Sequence, residues 1–157
     1  MTSENFKEKL AIGTVGEDIV LRWLEKTNQV VCDNRLEKYK KGGPRSTGTS
    51  KSLAKPDFTV YNPYTEGGPK FAVDAKAKTK DPYMVNGRMC FTVDKKFEDY
   101  LELVRIMNLD YLAIIFIYNN WMYFYKDSDV IDTCEYNNQY GTGTVYLFEY
   151  DKAKAIR

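Results

Sequence analysis

A chain of 157 residues is long enough for one domain with a substantial core and short for two. Its composition is that of a soluble, tyrosine-rich globular protein, with a net charge of +1 and no histidine. The missing imidazole excludes Ser-His-Asp and Cys-His catalysis in their usual form, histidine-ligated metals, and any mechanism with a histidine base. Chemistry here must use carboxylates, lysine, tyrosine or a thiol. Cys32, Cys90 and Cys134 are far apart and odd in number, which suits reduced thiols better than a disulfide framework or a zinc ribbon. No apolar run reaches the roughly eighteen residues of a membrane span, and the N-terminus lacks a signal core. A cytoplasmic location is therefore expected, in the host cytoplasm if the protein is viral.

Residues 4–27 read as a helix, with Phe6, Leu10, Ile19, Trp23 and Leu24 at helical spacings and Ser3 as a cap. Gly13 and Gly16 weaken its middle, so the regular helix is expected to start after Gly13, and they allow close approach to a sheet or a phosphate. Residues 29–33 form a short strand. Residues 34–55 are a long, flexible basic loop containing Gly42-Gly43-Pro44 and a run of hydroxyls, suited to wrapping a phosphate backbone. Residues 57–61 and 70–77 are the next two strands, joined through Asn62-Pro63 and Gly67-Gly68. A second basic loop, 78–87, is broken by Pro82.

Val93, Phe97, Tyr100, Leu101, Val104 and Met107 make the apolar face of a second helix, capped by Thr92 or Asp94. Lys95 and Lys96 occupy its first turn, the unfavourable end for cations, which points to an anionic partner. Residues 111–118 and 121–125 form a hairpin around Asn119-Asn120. The alternating Trp121, Tyr123 and Tyr125 suit a sheet face or a subunit contact better than a base-stacking platform. A last strand covers 144–150. The whole is one α/β domain spanning 1–157, with a mixed central sheet flanked by helices and an extra C-terminal strand.

The near-zero net charge hides an uneven distribution. Residues 35–55 carry a local +6, from Arg35, Lys38, Lys40, Lys41, Arg45, Lys51 and Lys55 against Glu37. Residues 70–97, with Lys78, Lys95 and Lys96, are also basic, whereas 98–157 are acidic. Positive charge gathers around one part of the chain, as on a phosphate-binding face. The bland alternative is a solvated loop.

The strand Phe71 to Lys78 puts Phe71, Val73, Ala75 and Ala77 on one face and Asp74 and Lys76 on the other. Charges on an apolar strand are costly to bury unpaired. Asp57 opens the preceding strand and can lie beside Asp74. Adjacent carboxylates attract a hard divalent cation, and a nearby lysine can polarise water. A solvated, charged sheet face is the alternative. Pro56-Asp57, Asp74-Ala75-Lys76 and Gly13-Thr14-Val15-Gly16-Glu17, in this order and on these elements, resemble the PD-(D/E)XK nuclease superfamily over about residues 10–125.

The resemblance implies a restriction-endonuclease-like αβββαβ core and a magnesium-dependent DNA endonuclease, with manganese substituting and 5′-phosphate ends as products. It implies that Asp57, Asp74 and the Ala75 carbonyl hold the metal. Lys76 would activate the water, and Glu17 would hold a second ion or orient a water. The small size is similar to that of Holliday-junction resolvases and phage endonucleases of this superfamily, acting in recombination, repair or phage DNA processing. A homodimer selective for branched DNA is therefore expected, with no membrane and no small-molecule cofactor. The aromatic strands 121–125 and 144–150 are its candidate dimer surfaces. Lys96-Phe97-Glu98-Asp99-Tyr100 departs from the Q-x-x-x-Y motif of one exonuclease branch at its first residue, and Tyr100 itself suits the core. An exonuclease, a restriction-type enzyme, a non-catalytic nucleic-acid-binding module and a structural interaction protein are the alternatives.

Overall fold

The computed structural model describes the backbone of residues 3–37, 45–46, 52–139 and 141–156, and the side chains of 12–35, 52–137, 139 and 141–156. Lys38, Lys40, Lys41 and Lys51 lie outside the described residues, as do the side chains of Arg45 and Ser3. The chain is mixed α/β. It runs α1 (Ser3–Thr27), β1 (Val30–Asp33), β2 (Arg45–Ser46), β3 (Leu53–Ala54), β4 (Phe58–Tyr61), β5 (Lys70–Lys78), β6 (Tyr83–Val85) and β7 (Arg88–Val93). It continues through α2 (Lys96–Ile106), β8 (Tyr111–Tyr118), β9 (Trp121–Lys126), β10 (Asp132–Asn138) and β11 (Gly141–Glu149).

The central sheet has the order β1-β4-β5-β8-β9. β5 and β8 pair in parallel and the other neighbours are antiparallel. A parallel pair needs a long crossover, and β6, β7 and α2 supply it. The alternation expected along β5 is present. Phe71, Val73 and Ala75 enter a core beneath α1 with Val20, Leu24, Phe58, Val60, Ala113 and Ile115. Ala72 enters the opposite core with Phe97, Tyr100, Ile114 and Phe116.

α1 is continuous through both glycines, so the expected start after Gly13 is corrected. Its inward stripe runs through Gly16, Val20 and Leu24, at i, i+4 and i+8, and Ile19 is exposed. A Cβ at Gly16 would meet the Ala77 Cβ at 3.2 Å, whereas one at Gly13 would, among the described residues, find only Glu17 Oε2, at 3.9 Å. Gly16 is thus where the helix backbone lies against the sheet. Gly16→Val should therefore destabilise by about 1–3 kcal/mol through overpacking. Gly13→Ala should be neutral, or stabilising by up to about 1 kcal/mol through helix propensity. Urea denaturation of the two variants checks the contrast, and equal effects would contradict this helix–sheet contact.

The second face of the central sheet carries more than a helix. A four-stranded antiparallel sheet, β10-β11-β7-β6, packs there beside α2. Phe91 of β7 stacks on Phe116 of β8 with ring centroids 4.5 Å apart. Three sequence expectations change. The basic loop 78–87 contains β6, and its Asn86-Gly87 turns the chain into β7 with φ of 48° and 81°. Val93 belongs to β7 rather than to the helix, and Met107 lies exposed beyond the end of α2. β11, the expected extra C-terminal strand, pairs with β7 and β10. The segment 34–55 is not all loop, because β2 and β3 pair within it. The Asn119-Asn120 hairpin is as expected, with positive φ at both central residues.

Candidate active site

The site lies where β4 stops and β5 continues. Their ladder ends at Phe58↔Val73, so Asp57 is the next residue opposite Asp74. Asp57 is held from two sides. Its main-chain carbonyl accepts from Asn34 N–H at 2.9 Å. Its Oδ2 accepts from Ala75 N–H at 2.9 Å, replacing the missing rung of the ladder. A strand residue's N–H and C=O face the same neighbour, so the Ala75 carbonyl shares this open edge with Asp57.

Asp74 and Lys76 project from the other face of β5, towards α2. Asp74 is 2% exposed. Lys76 Nζ stands 3.0 Å from Asp74 Oδ2, and the Tyr100 hydroxyl lies beside the same carboxylate, which together with burial holds the phenol protonated. Asp74 Oδ2 is fully enclosed and no donor is aligned on it; the Lys76 contact is an ion pair by distance alone. Tyr100, read from sequence as a core residue, is therefore both core and a support for Asp74. Its spacing of three from Phe97 signalled only the burial.

The electrostatics follow from crowding. Burial pushes the Asp57 carboxyl well above the usual carboxylate range, and the charges of Asp74 and Glu17 push it further; Ala75 N–H and Lys76 offset only part. Burial works against the Lys76 charge, but Asp74, Asp94 and Asp57 outweigh it and hold the ammonium above the usual lysine range. Lys76 is thus held as a cation beside Asp74. Asp94, which adds to this field, was expected only as a helix cap. Its Oδ1 does accept from Lys96 N–H at 3.0 Å.

Glu17 approaches from α1 and is tied to Arg35, whose Nη1 lies 3.7 Å from Glu17 Oε1. Arg35 was expected on DNA, and the structure corrects this. Its guanidinium is 9% exposed, forks onto both oxygens of Asp33 at 2.9 Å and meets Asp18 at 2.7 Å. It also covers the Phe58 ring at 5.0 Å. A planar guanidinium matched to one carboxylate and flanked by another is committed to that clamp. Asp33, Arg35 and Asp18 together brace Glu17 beside Asp57.

The remaining basic candidates divide by exposure. Lys55 is half-buried just before Asp57. Lys78 is half-buried on the Lys76 face of β5. Lys95 and Lys96 are exposed at the start of α2. The first turn of α2 also holds Glu98 and Asp99, so the dipole cost read from the two lysines is offset locally. Asp99 Oδ2 accepts from Ala54 N–H at 2.9 Å, which fastens the β3 segment to α2. The proposed aromatic dimer surfaces are corrected in part. Tyr123, Tyr125 and Phe148 are buried in the chain's own core, whereas Trp121 is exposed.

Among the described residues no three acidic or thiol side chains form a ready-made metal cage. The donors at the site nonetheless fit a hard cation. They are all oxygen, two carboxylates share one strand end, and the enclosed Asp74 Oδ2 lacks a hydrogen bond. No helix among the described residues is long and apolar enough to cross a membrane. No protein-family model matches this chain, and comparison with curated proteins finds no match.

Proposed function

We propose that this chain is a magnesium-dependent DNA endonuclease with a restriction-endonuclease-like core. The observation that carries the reading is the placement of Asp57 opposite Asp74 at an open strand end, with Lys76 ion-paired one side-chain repeat further on. The order α1-β1-β4-β5-α2-β8-β9 around the central sheet supports the same reading, because it repeats the αβββαβ order of the family.

In this mechanism Asp57, Asp74 and the Ala75 carbonyl hold Mg²⁺, with Mn²⁺ as a substitute. The bound ion would supply Lewis-acid polarisation of a phosphoryl oxygen and ease deprotonation of the attacking water. Tyr100 keeps the Asp74 carboxylate in place. Lys76, a fixed cation, donates to a non-bridging phosphate oxygen and opposes the charge that builds on phosphorus. Glu17, braced by Arg35, orients the attacking water. Water attacks phosphorus, the bond to the 3′ oxygen breaks, and a 5′-phosphate and a 3′-hydroxyl result.

Incubation with Mg²⁺ and a panel of linear, single-stranded, flapped and four-way DNA tests the reading. Cleavage should occur with Mg²⁺ or Mn²⁺ and stop in EDTA; no cleavage of any substrate would reject it. The finer expectation is a homodimer that reads backbone shape at a branch. Light scattering should give twice the chain mass, and a four-way junction should outcompete a linear duplex of equal length. A monomer that digests linear ends processively would replace that expectation with an exonuclease and leave the metal chemistry standing. Neutralising Lys38, Lys40, Lys41 and Arg45 together should reduce the log–log salt slope of DNA binding by about 0.9 per lost phosphate contact. An unchanged slope assigns that segment to solvent.

A further inference from the structure

We infer that a groove adjoining the carboxylate site is a subsite for the nucleotide next to the cleaved phosphate, with Lys78 and Lys80 on its phosphate and Tyr83 under its base. This rests on the nuclease reading and extends it. Beyond Val73, β5 has no strand partner on its β4 side among the described residues. Along that edge a cavity of about 340 Å³ opens between Gly13 of α1 and the β5-β6-β7 segment. The open edge that carries Asp57 and Ala75 therefore leads directly into the groove.

Lys78 is what makes this a site rather than a gap. It is half-buried and has no carboxylate partner among the described residues. Its Nζ donates to the Thr92 carbonyl at 2.7 Å and lies 5.7 Å from the Phe116 ring centroid. Burial, then the neighbouring Lys76 charge, lowers its pKa to about 8, and the charges of Asp94 and Asp74 offset only part of this. An ammonium held in such surroundings gains from an anion delivered to it. Lys76 and Lys78 are alternate residues on one strand face, about 6.6 Å apart along it. That distance is of the order of the step between successive phosphates of an extended strand. If Lys76 addresses the cleaved phosphate, Lys78 faces the next one.

The rest of the groove suits a nucleotide. Lys80 adds a second, exposed cation. Asp81, the groove's one carboxylate among the described residues, accepts from the Tyr118 hydroxyl. Tyr83 is 59% exposed on the rim, which leaves a ring face open to a base.

The test uses the ¹⁵N-labelled full chain and a single-stranded thymidine trinucleotide carrying a 5′-phosphate, in metal-free buffer. Amide shifts should concentrate at residues 77–83 and 91–92. Lys78→Met and Tyr83→Ser should each weaken binding about tenfold. Lys152→Met, on the turn after β11, should leave binding unchanged. In Mg²⁺-supported cleavage both groove variants should raise KM rather than lower kcat. Tyr83 is exposed, so its variant remains informative even where Lys78→Met fails to fold. Shifts confined to other residues, or wild-type binding by Tyr83→Ser and by a folded Lys78→Met, would overturn the subsite. A chain that cuts DNA with wild-type KM in both variants rejects the subsite and keeps the nuclease. A chain that cuts nothing, yet binds the trinucleotide in the groove through Lys78 and Tyr83, rejects the nuclease and keeps the subsite.

Discussion

Asp74→Asn and Lys76→Met should each slow DNA cleavage by on the order of a thousandfold or more, and they should differ sharply in stability. Asn at 74 keeps the shape of the side chain beside Tyr100 and removes one of two adjacent buried carboxylates. Lys76, whose side chain is 26% exposed, then turns its ammonium to water at little cost. Met at 76 does the reverse. It leaves Asp57 and Asp74 facing each other with their nearest cation gone. Breaking one side of a buried pair costs about 3 kcal/mol, or roughly 6–12 °C in Tm for a chain of this size. The double variant should recover most of that loss and remain inactive. Calorimetry in EDTA and single-turnover cleavage measure the two effects separately. Wild-type cleavage by Lys76→Met would sink the site assignment, whatever the stability result.

Asp57→Asn should raise Tm by several degrees in metal-free buffer near neutral pH and abolish stabilisation by Mg²⁺. The sign comes from proton linkage. Burial, Asp74 and Glu17 raise the folded-state pKa of Asp57 above its unfolded value. Its stability contribution is complete below the ordinary carboxylate range, about 4, where both states hold the proton. As pH rises through the window from that value to the raised pKa, the folded state binds more protons than the unfolded one, so stability falls. Asn removes this loss and can retain the acceptor for Ala75 N–H. Wild-type Tm should therefore decline across the window, and the variant should lack that part of the decline. Millimolar Mg²⁺ should restore wild-type stability by binding only the folded site, and should not move the variant. Equal Mg²⁺ shifts in both proteins would show that Asp57 is not a metal-holding carboxylate, and a variant less stable at every pH would overturn the raised pKa.

The same residues separate what sequence reading reaches from what it misses. β5 was legible because its period-two pattern is written in Phe71, Val73 and Ala75. The hairpin at Asn119-Asn120 was legible because its two residues accept positive φ. β6 and β7 carried an equivalent signal in Asn86-Gly87, which was outweighed by the lysines and Pro82 before it. β10, Asp132–Asn138, gave little period-two signal: it is largely polar and pairs at the rim of the second sheet. Arg35 shows the limit for charges. Its place among basic residues suggested DNA, whereas its partners Asp33 and Asp18 lie two and seventeen positions away and meet it only through the fold.

By itself, the sequence determined the α/β class, the two main helices, the central strands, the exclusion of histidine chemistry, and the facing of Asp74 and Lys76 away from the α1 core. These depend on composition and on local periodicity, which a chain carries wherever it folds. Tertiary structure alone decided that a second sheet covers the α2 face, that Tyr100 supports Asp74, that Arg35 braces Glu17, and that Tyr123 and Tyr125 fill the chain's own core. Each of these is a long-range pairing or a side-chain hydrogen bond, and their partners are chosen by strand order and register. It also decided the protonation tendencies of Asp57 and Lys76, because burial and neighbouring charge exist only once the sheet has brought Asp57, Asp74 and Glu17 to one end.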